Sequence, residues 1–126
     1  MCSDTPRATI TLPQSLEAPR IARMFVAEHV CQTHLLPPVE DAVLLTSEAI
    51  TNAVVHGGPP IELAIDCTGE ASEIRVSDGS EAIPLPHMAS EEDVHGRGLM
   101  LIDVLSDAWG VEAAMPGKQV WFLLRP

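Results

Sequence analysis

Residues 44–58 read LLTSEAITNAVVHGG, and this stretch predicts the second half of an amphipathic helix. Apolar residues recur at three- and four-residue steps from residue 39 onward, which is the period of one helix face. They are Val39, Ala42, Val43, Ala49, Ile50, Ala53 and Val54. The Gly-Gly pair 57–58 is expected to cap the C-terminal end of the helix, and the Pro-Pro pair 59–60 prevents its continuation.

Three polar side chains of this helix are expected to share one side of it. Glu48, Asn52 and His56 are spaced four residues apart, so they drift by only about 80° around the helix axis. A carboxylate and an amide oxygen one turn apart supply hard oxygen ligands or position a water, as magnesium–phosphate chemistry requires. The alternative interpretation is a water-exposed helix flank, which is the usual environment of a lone Glu or Asn.

A second polar element follows a predicted β-hairpin. Residues 61–67 and 72–78 alternate between apolar and polar side chains and predict two antiparallel strands. The second strand runs directly into Asp78-Gly79, followed by Ser80. Asp-Gly at the end of a strand is most often only a turn.

The third element is HGRGLMLIDVLS at residues 95–106. Its two glycines allow backbone N–H groups to face an anion, and the helix predicted to follow directs its positive end to the same place. Arg97 opposes the helix dipole unless an anion is bound there. The stretch is neither a Rossmann fingerprint nor a Walker loop, and by itself it is equally compatible with a flexible turn.

In this order and spacing the three elements resemble the motifs of the histidine-kinase-like ATPases, the GHKL or Bergerat-fold group. More narrowly, they are similar to the small anti-sigma-factor serine kinases of the actinobacterial type. The resemblance covers residues 7–124 approximately, and it implies ATP and Mg²⁺ as ligands. It implies Glu48 as general base, Asn52 as magnesium ligand, Asp78 as acceptor for the adenine amino group, Gly79 as the residue that lets the base approach, and Gly96, Arg97, Gly98 and Leu99 as triphosphate-contacting residues.

The remaining patterns complete the predicted fold. We expect a strand at residues 7–13, a helix from within 15–19 to about 34, and a lid loop at 81–95. A last helix from about residue 99 and a hairpin of strands 111–115 and 118–124 follow. The fold class is a two-layer α/β sandwich: about three helices on one face of a mixed, mostly antiparallel five-stranded sheet. We expect one domain over residues 1–126.

Several residues outside the three motifs have roles that can be predicted from their sequence context. Trp109 and Trp121 are predicted to be core aromatics. Lys118 is compatible with a surface turn or with a nucleotide contact, and the surface turn is the favoured interpretation. His87 and His95 match no metal-ligand spacing. Cys2, Cys31 and Cys67 lack the spacing of a disulfide framework or metal site, so they are expected to be reduced thiols.

Composition excludes some classes of function. The chain has 7 basic and 18 acidic residues and a formal net charge of −11, which gives no general attraction for nucleic acid or an anionic membrane. No apolar run is long enough to span a bilayer, and the N-terminus lacks a signal-peptide pattern, so we expect a cytoplasmic location.

The leading hypothesis is a Mg-ATP-binding regulatory serine/threonine protein kinase that acts as an anti-sigma factor. By resemblance, its partners are a sigma factor and a small anti-sigma-antagonist (STAS-like) protein, and it is a homodimer, as such proteins commonly are. The alternative is a non-catalytic module, with or without ATP, that regulates by sequestering a protein partner. The motifs leave both open, because Glu48 can lie near a phosphate without ever accepting a proton.

Overall fold

The computed structural model describes residues 5–29, 39–67, 71–80, 94–114 and 117–125. These ranges contain three helices and five strands. The helices are α1 (Ala18–His29), α2 (Val39–His56) and α3 (Val94–Leu105). The strands are β1 (Thr5–Leu12), β2 (Ile61–Cys67), β3 (Ser72–Asp78), β4 (Ala108–Ala113) and β5 (Lys118–Leu124).

The five strands form one sheet in the order β1-β2-β3-β5-β4. All four neighbouring pairs are antiparallel, so the described sheet has no parallel pair of the kind that a mixed sheet would contain. β3 and β5 alternate strictly between buried and half-buried residues. This alternation puts one face of the sheet against the helices, as a two-layer fold requires.

Helix α2 lies at the centre of the helical layer and contacts α1, α3 and β3. Its buried face is wider than the predicted apolar stripe, since Leu45 and Thr46 are fully buried together with Ala42 and Ile50. The core combines this face with the inward-facing side chains of the sheet, which include Leu63, Ile65, Ile74, Val76, Val120 and Phe122. The predicted fold class is confirmed.

The hairpin strands 61–67 and 72–78 have the bounds that their alternating sequences predict, and the final strand has the predicted bounds 118–124. β1 begins and ends slightly earlier than predicted, at Thr5 and Leu12. Helix α1 ends at His29 in the described part, and its predicted continuation to residue 34 lies outside the described residues. None of the helices in these ranges combines the length and apolar character needed to cross a bilayer.

The strand predicted at residues 111–115 instead spans Ala108–Ala113, because the chain already turns at Ser106 and Asp107. The Asp107 N–H donates to the Leu123 carbonyl at 2.8 Å, and β4 starts at the next residue. The Trp109 indole is half-buried against the core, and its Nε1–H donates to Asp103 Oδ1 at 2.8 Å.

Trp121 is not a core residue. It alternates with the buried Val120 and Phe122 and therefore lies on the sheet face away from the helices. There it pairs in register with Gly110, where an added Cβ would be 2.8 Å from the Trp121 indole nitrogen.

Candidate functional site

The predicted polar flank of α2 is partly buried. Glu48 and Asn52 are half-buried, whereas His56, at the last residue of the helix, is exposed. Glu48 makes no hydrogen bond or ion pair with the residues that the structure describes. Its carboxylate is therefore not committed to a structural role within that part of the chain.

Asn52 has a buried oxygen without a partner. The Oδ1 atom is inaccessible to solvent, and no hydrogen bond to it is found within the described part of the chain. A buried carbonyl oxygen left unpaired costs about 1–3 kcal/mol, so such an atom calls for a ligand. A cation with a preference for oxygen ligands, such as Mg²⁺, fits this atom.

Asp78 ends β3 on the face of the sheet that the helices cover, and only 5% of it is exposed. Its Oδ1 atom accepts two hydrogen bonds. The Ser80 N–H donates at 2.8 Å, which closes a local turn, and the Lys118 ammonium donates at 3.0 Å. The predicted Asp-Gly turn is therefore present, and it holds a buried carboxylate.

The surface position predicted for Lys118 is wrong. Lys118 is the first residue of β5, its side chain is 7% exposed, and it forms a salt bridge with Asp78. Lys118 shares its face of β5 with the buried Val120, Phe122 and Leu124. The sequence alone does not show which face this is, because Trp121 and Leu123 on the other face are also apolar. The adjacent Pro-Gly turn favoured the surface interpretation.

Three glycines surround Asp78 at distances that a side chain would not permit. A Cβ at Gly57 would be 2.7 Å from Asp78 Oδ2, and one at Gly117 would be 1.9 Å from the Asp78 carbonyl oxygen. A Cβ at Gly79 would be 2.2 Å from the Pro59 carbonyl oxygen. The end of α2, the end of β3 and the start of β5 therefore meet in close backbone contact around one carboxylate.

The cap of α2 differs from the predicted one. Neither Gly57 nor Gly58 has the positive φ of a glycine C-cap. The Gln14 side chain supplies the missing donors instead, since its Nε2 donates to the carbonyls of Val54 and Gly57, each at 3.3 Å. Gly57 is required by the approach of Asp78, and the Gly79 N–H donates to the Gly58 carbonyl at 2.7 Å.

The glycine-rich element at residues 96–98 lies within α3. The helix begins at Val94, so Gly96, Arg97, Gly98 and Leu99 belong to its first turns, whereas the sequence predicted them to precede or start the helix. The helix-start prediction was wrong by about one turn. Residues 81–93 of the predicted lid loop 81–95 lie outside the described residues, and its last two residues, Val94 and His95, belong to α3.

A family model described as the histidine kinase-like ATPase domain matches residues 12–124. The chain belongs to this family. The family resemblance inferred from the three elements is therefore confirmed.

The histidine kinase-like fold is also found in a solved structure, that of the RsbU and RsbW domains of Rv1364c from Mycobacterium tuberculosis. The superposition has a TM-score of 0.68 at 22% sequence identity, and it covers 97% of this chain and 33% of that chain. At this identity the likeness shows the fold alone. A comparison with curated proteins gave no match.

The described residues contain no group of three or more His, Cys, Asp and Glu side chains that is able to hold a metal ion. A protein-only metal cage is thus not formed by that part of the chain. Within the described residues, the buried Oδ1 of Asn52 remains the atom whose chemistry fits a metal ligand.

Proposed function

We propose that this chain binds Mg-ATP and acts as a regulatory serine/threonine protein kinase of the anti-sigma type. The observation that carries the proposal is the buried, unpartnered Oδ1 of Asn52 on α2. It is supported by the family membership of residues 12–124 and by the buried carboxylate of Asp78 at the adjoining end of β3.

Each ligand group of Mg-ATP has a candidate residue. Asn52 Oδ1 would hold the metal, which when bound neutralises charge on the phosphates during transfer. Asp78 would accept a hydrogen bond from the adenine amine, and a buried acceptor of this kind discriminates strongly against a base that presents a carbonyl there. Gly96, Arg97, Gly98 and Leu99 in the first turns of α3 would face the triphosphate.

Glu48 is the proposed general base. It would accept the proton of a serine or threonine hydroxyl while the hydroxyl oxygen forms a bond to the γ-phosphorus. The bond from that phosphorus to the β,γ-bridging oxygen breaks, and ADP leaves. The absence of a competing partner for Glu48 in the described residues supports this role.

The resemblance to anti-sigma-factor serine kinases suggests the protein partners. We propose that the phosphate acceptor is a small anti-sigma-antagonist protein of the STAS-like type and that the same domain binds a sigma factor. We further propose that the chain acts in the cytoplasm as a homodimer.

The first experiment is a calorimetric titration with ATP and with GTP, each with and without Mg²⁺. We expect ATP binding that depends on magnesium and exceeds GTP binding, and we expect Asn52→Ala to abolish the magnesium dependence. Binding of neither nucleotide would contradict the proposal and favour a module that acts only by sequestering a partner.

The kinase step needs its own experiment. Incubation with γ-labelled ATP and a panel of small anti-sigma-antagonist proteins should label one of them. Glu48→Gln should lose this transfer while it retains ATP affinity, because it removes the proton acceptor and keeps the side-chain shape. Equal labelling by the native protein and Glu48→Gln would exclude Glu48 as the base. ATP binding without labelling of any acceptor would favour the non-catalytic module.

A further inference from the structure

The salt bridge between Lys118 and Asp78 places a cation where the proposed adenine site requires only an acceptor. The Lys118 Nζ lies 3.0 Å from Asp78 Oδ1, and both side chains are more than nine-tenths buried. Lysine is among the residues that are almost never fully buried unless they are paired. The burial of Lys118 beside Asp78 therefore needs an explanation.

A purely structural explanation is weak. β3 and β5 are already joined by a backbone ladder in which Asp78 and Lys118 are opposite each other. A buried ion pair adds little stability on average, since the cost of removing two charges from water offsets their attraction. An apolar pair at this place would connect the strands as well.

The pair also leaves hydrogen-bonding capacity unused. Asp78 Oδ1 accepts from Lys118 and from the Ser80 N–H, whereas Oδ2 accepts no hydrogen bond from the described residues. The ammonium has three N–H donors, and in the same part of the chain only Asp78 accepts from it. A spare acceptor on Asp78 therefore lies beside spare donors on Lys118, in a position where one ligand could pair with both.

We propose that Lys118 is a second base-reading residue, whose ammonium donates to N1 of adenine while Asp78 accepts from the adjacent 6-amino group. This assignment rests on the proposed function and deepens it. The 6-amino donor and the N1 acceptor are neighbours on the adenine edge, as the spare acceptor and donors are neighbours in the site. Guanine presents the reverse order, with an acceptor at position 6 and a donor at N1, so a guanine held in the same orientation would oppose both groups.

The test measures the affinities of ATP and of 1-deaza-ATP, in which N1 is replaced by C–H, by calorimetry in the presence of Mg²⁺. The native protein should bind ATP about 10- to 100-fold more tightly than 1-deaza-ATP, which is the range for a hydrogen bond to a charged group. In Lys118→Met, ATP should lose a similar factor, and the two nucleotides should bind with nearly equal affinity. The two proteins and two nucleotides form a double-mutant cycle, which assigns the loss of ATP affinity to the contact between Lys118 and N1.

Arg75→Met is the matched control. Arg75 is also a strand cation, but it lies on the sheet face away from the helices, where it pairs with Glu73. Its removal should leave the ratio of ATP to 1-deaza-ATP affinity unchanged. The comparison of the two nucleotides on the native protein needs no variant, so a folding defect in Lys118→Met would not prevent the test.

Two results would overturn the proposal and are distinguishable from each other. Failure of the native protein to bind ATP would overturn the proposed function and this assignment with it. ATP binding with equal affinity for 1-deaza-ATP, or an affinity ratio that persists in Lys118→Met, would overturn the assignment alone. In that case Lys118 would only hold the Asp78 carboxylate.

Discussion

Gly57 lies so close to Asp78 that an added Cβ would be 2.6 Å from the carboxylate carbon. The same Cβ would be 2.6 Å from the carbonyl oxygen of Ala53, which belongs to the backbone of α2. The carboxylate is itself held by Lys118 and Ser80. The end of α2 and the proposed adenine acceptor are thus packed so closely that no side chain fits between them.

Gly57→Ala should therefore displace Asp78 and lower the free energy of unfolding by about 1–3 kcal/mol, the usual cost of overpacking. Gly58→Ala is the matched control, because a Cβ there meets nothing within 4 Å. We expect it to change stability by no more than about 0.5 kcal/mol. Thermal unfolding of both variants checks the prediction, and equal effects would contradict the contact.

The local elements were predictable because they depend on neighbouring residues. Alternation predicted Ile61–Cys67 and Ser72–Asp78, and the glycine and proline pairs predicted the end of α2. The Pro-Gly turn signal at 116–117 predicted the start of the final strand, Lys118–Leu124. The start of β4 was not predictable in this way. Gly110 reads as a turn residue, but in the sheet it makes room for the Trp121 side chain.

The contacts of the site were less predictable because they join distant parts of the chain. Lys118 bonds to a residue 40 positions away, and Gln14 caps a carbonyl 43 positions away. Both faces of β5 are apolar between Val120 and Leu124, so the sequence identifies neither the face that Lys118 occupies nor its partner on the neighbouring strand. The three family motifs indicated Asn52 and Asp78, whereas Gly57 and Lys118 emerge only from packing.

The two buried, unpartnered oxygens of α2 should respond differently to mutation. Thr46 Oγ1 and Asn52 Oδ1 both find no hydrogen-bond partner in the described ranges, but Thr46 is fully buried and is not a proposed ligand residue. Thr46→Val keeps the side-chain shape and removes the unpaired hydroxyl, so it should raise the free energy of unfolding by about 1 kcal/mol. Chemical denaturation measures this change.

Nucleotide binding separates the two positions. Thr46→Val should retain magnesium-dependent ATP binding, whereas Asn52→Ala should lose it. A loss of binding in Thr46→Val would show that the assay responds to any change in α2, and the role of Asn52 would then lose its support.

Gln14 should stabilise α2 from outside the helix. Gln14→Ala removes the donor to the Val54 and Gly57 carbonyls and should cost about 1 kcal/mol in unfolding free energy. Gln14→Lys should restore most of this loss, because a cation at a helix C-terminus donates to the same carbonyls and interacts favourably with the dipole. Denaturation midpoints of the three proteins test this order, and a lysine variant as unstable as the alanine variant would contradict the capping role.

Gly117 should be the least replaceable of the glycines around Asp78. It has a φ of 84°, and a Cβ would be 1.9 Å from the Asp78 carbonyl oxygen and 2.7 Å from the Gly79 Cα. The left-handed conformation alone costs about 1–2 kcal/mol for an alanine, and the contact with the backbone adds to it. We expect Gly117→Ala to lower the free energy of unfolding by more than about 2 kcal/mol.

Gly117→Asn distinguishes the two causes. Asparagine tolerates positive φ better than alanine does, but its Cβ meets the same backbone atoms. If the close approach of the Asp78 carbonyl dominates, Gly117→Asn should be destabilised as strongly as Gly117→Ala in thermal unfolding. Gly110→Ala should destabilise the protein less. The atoms nearest to its Cβ would belong to the Trp121 side chain and not to the backbone, and this half-buried side chain is able to shift. Recovery of native stability by Gly117→Asn would instead assign the requirement for glycine to φ alone.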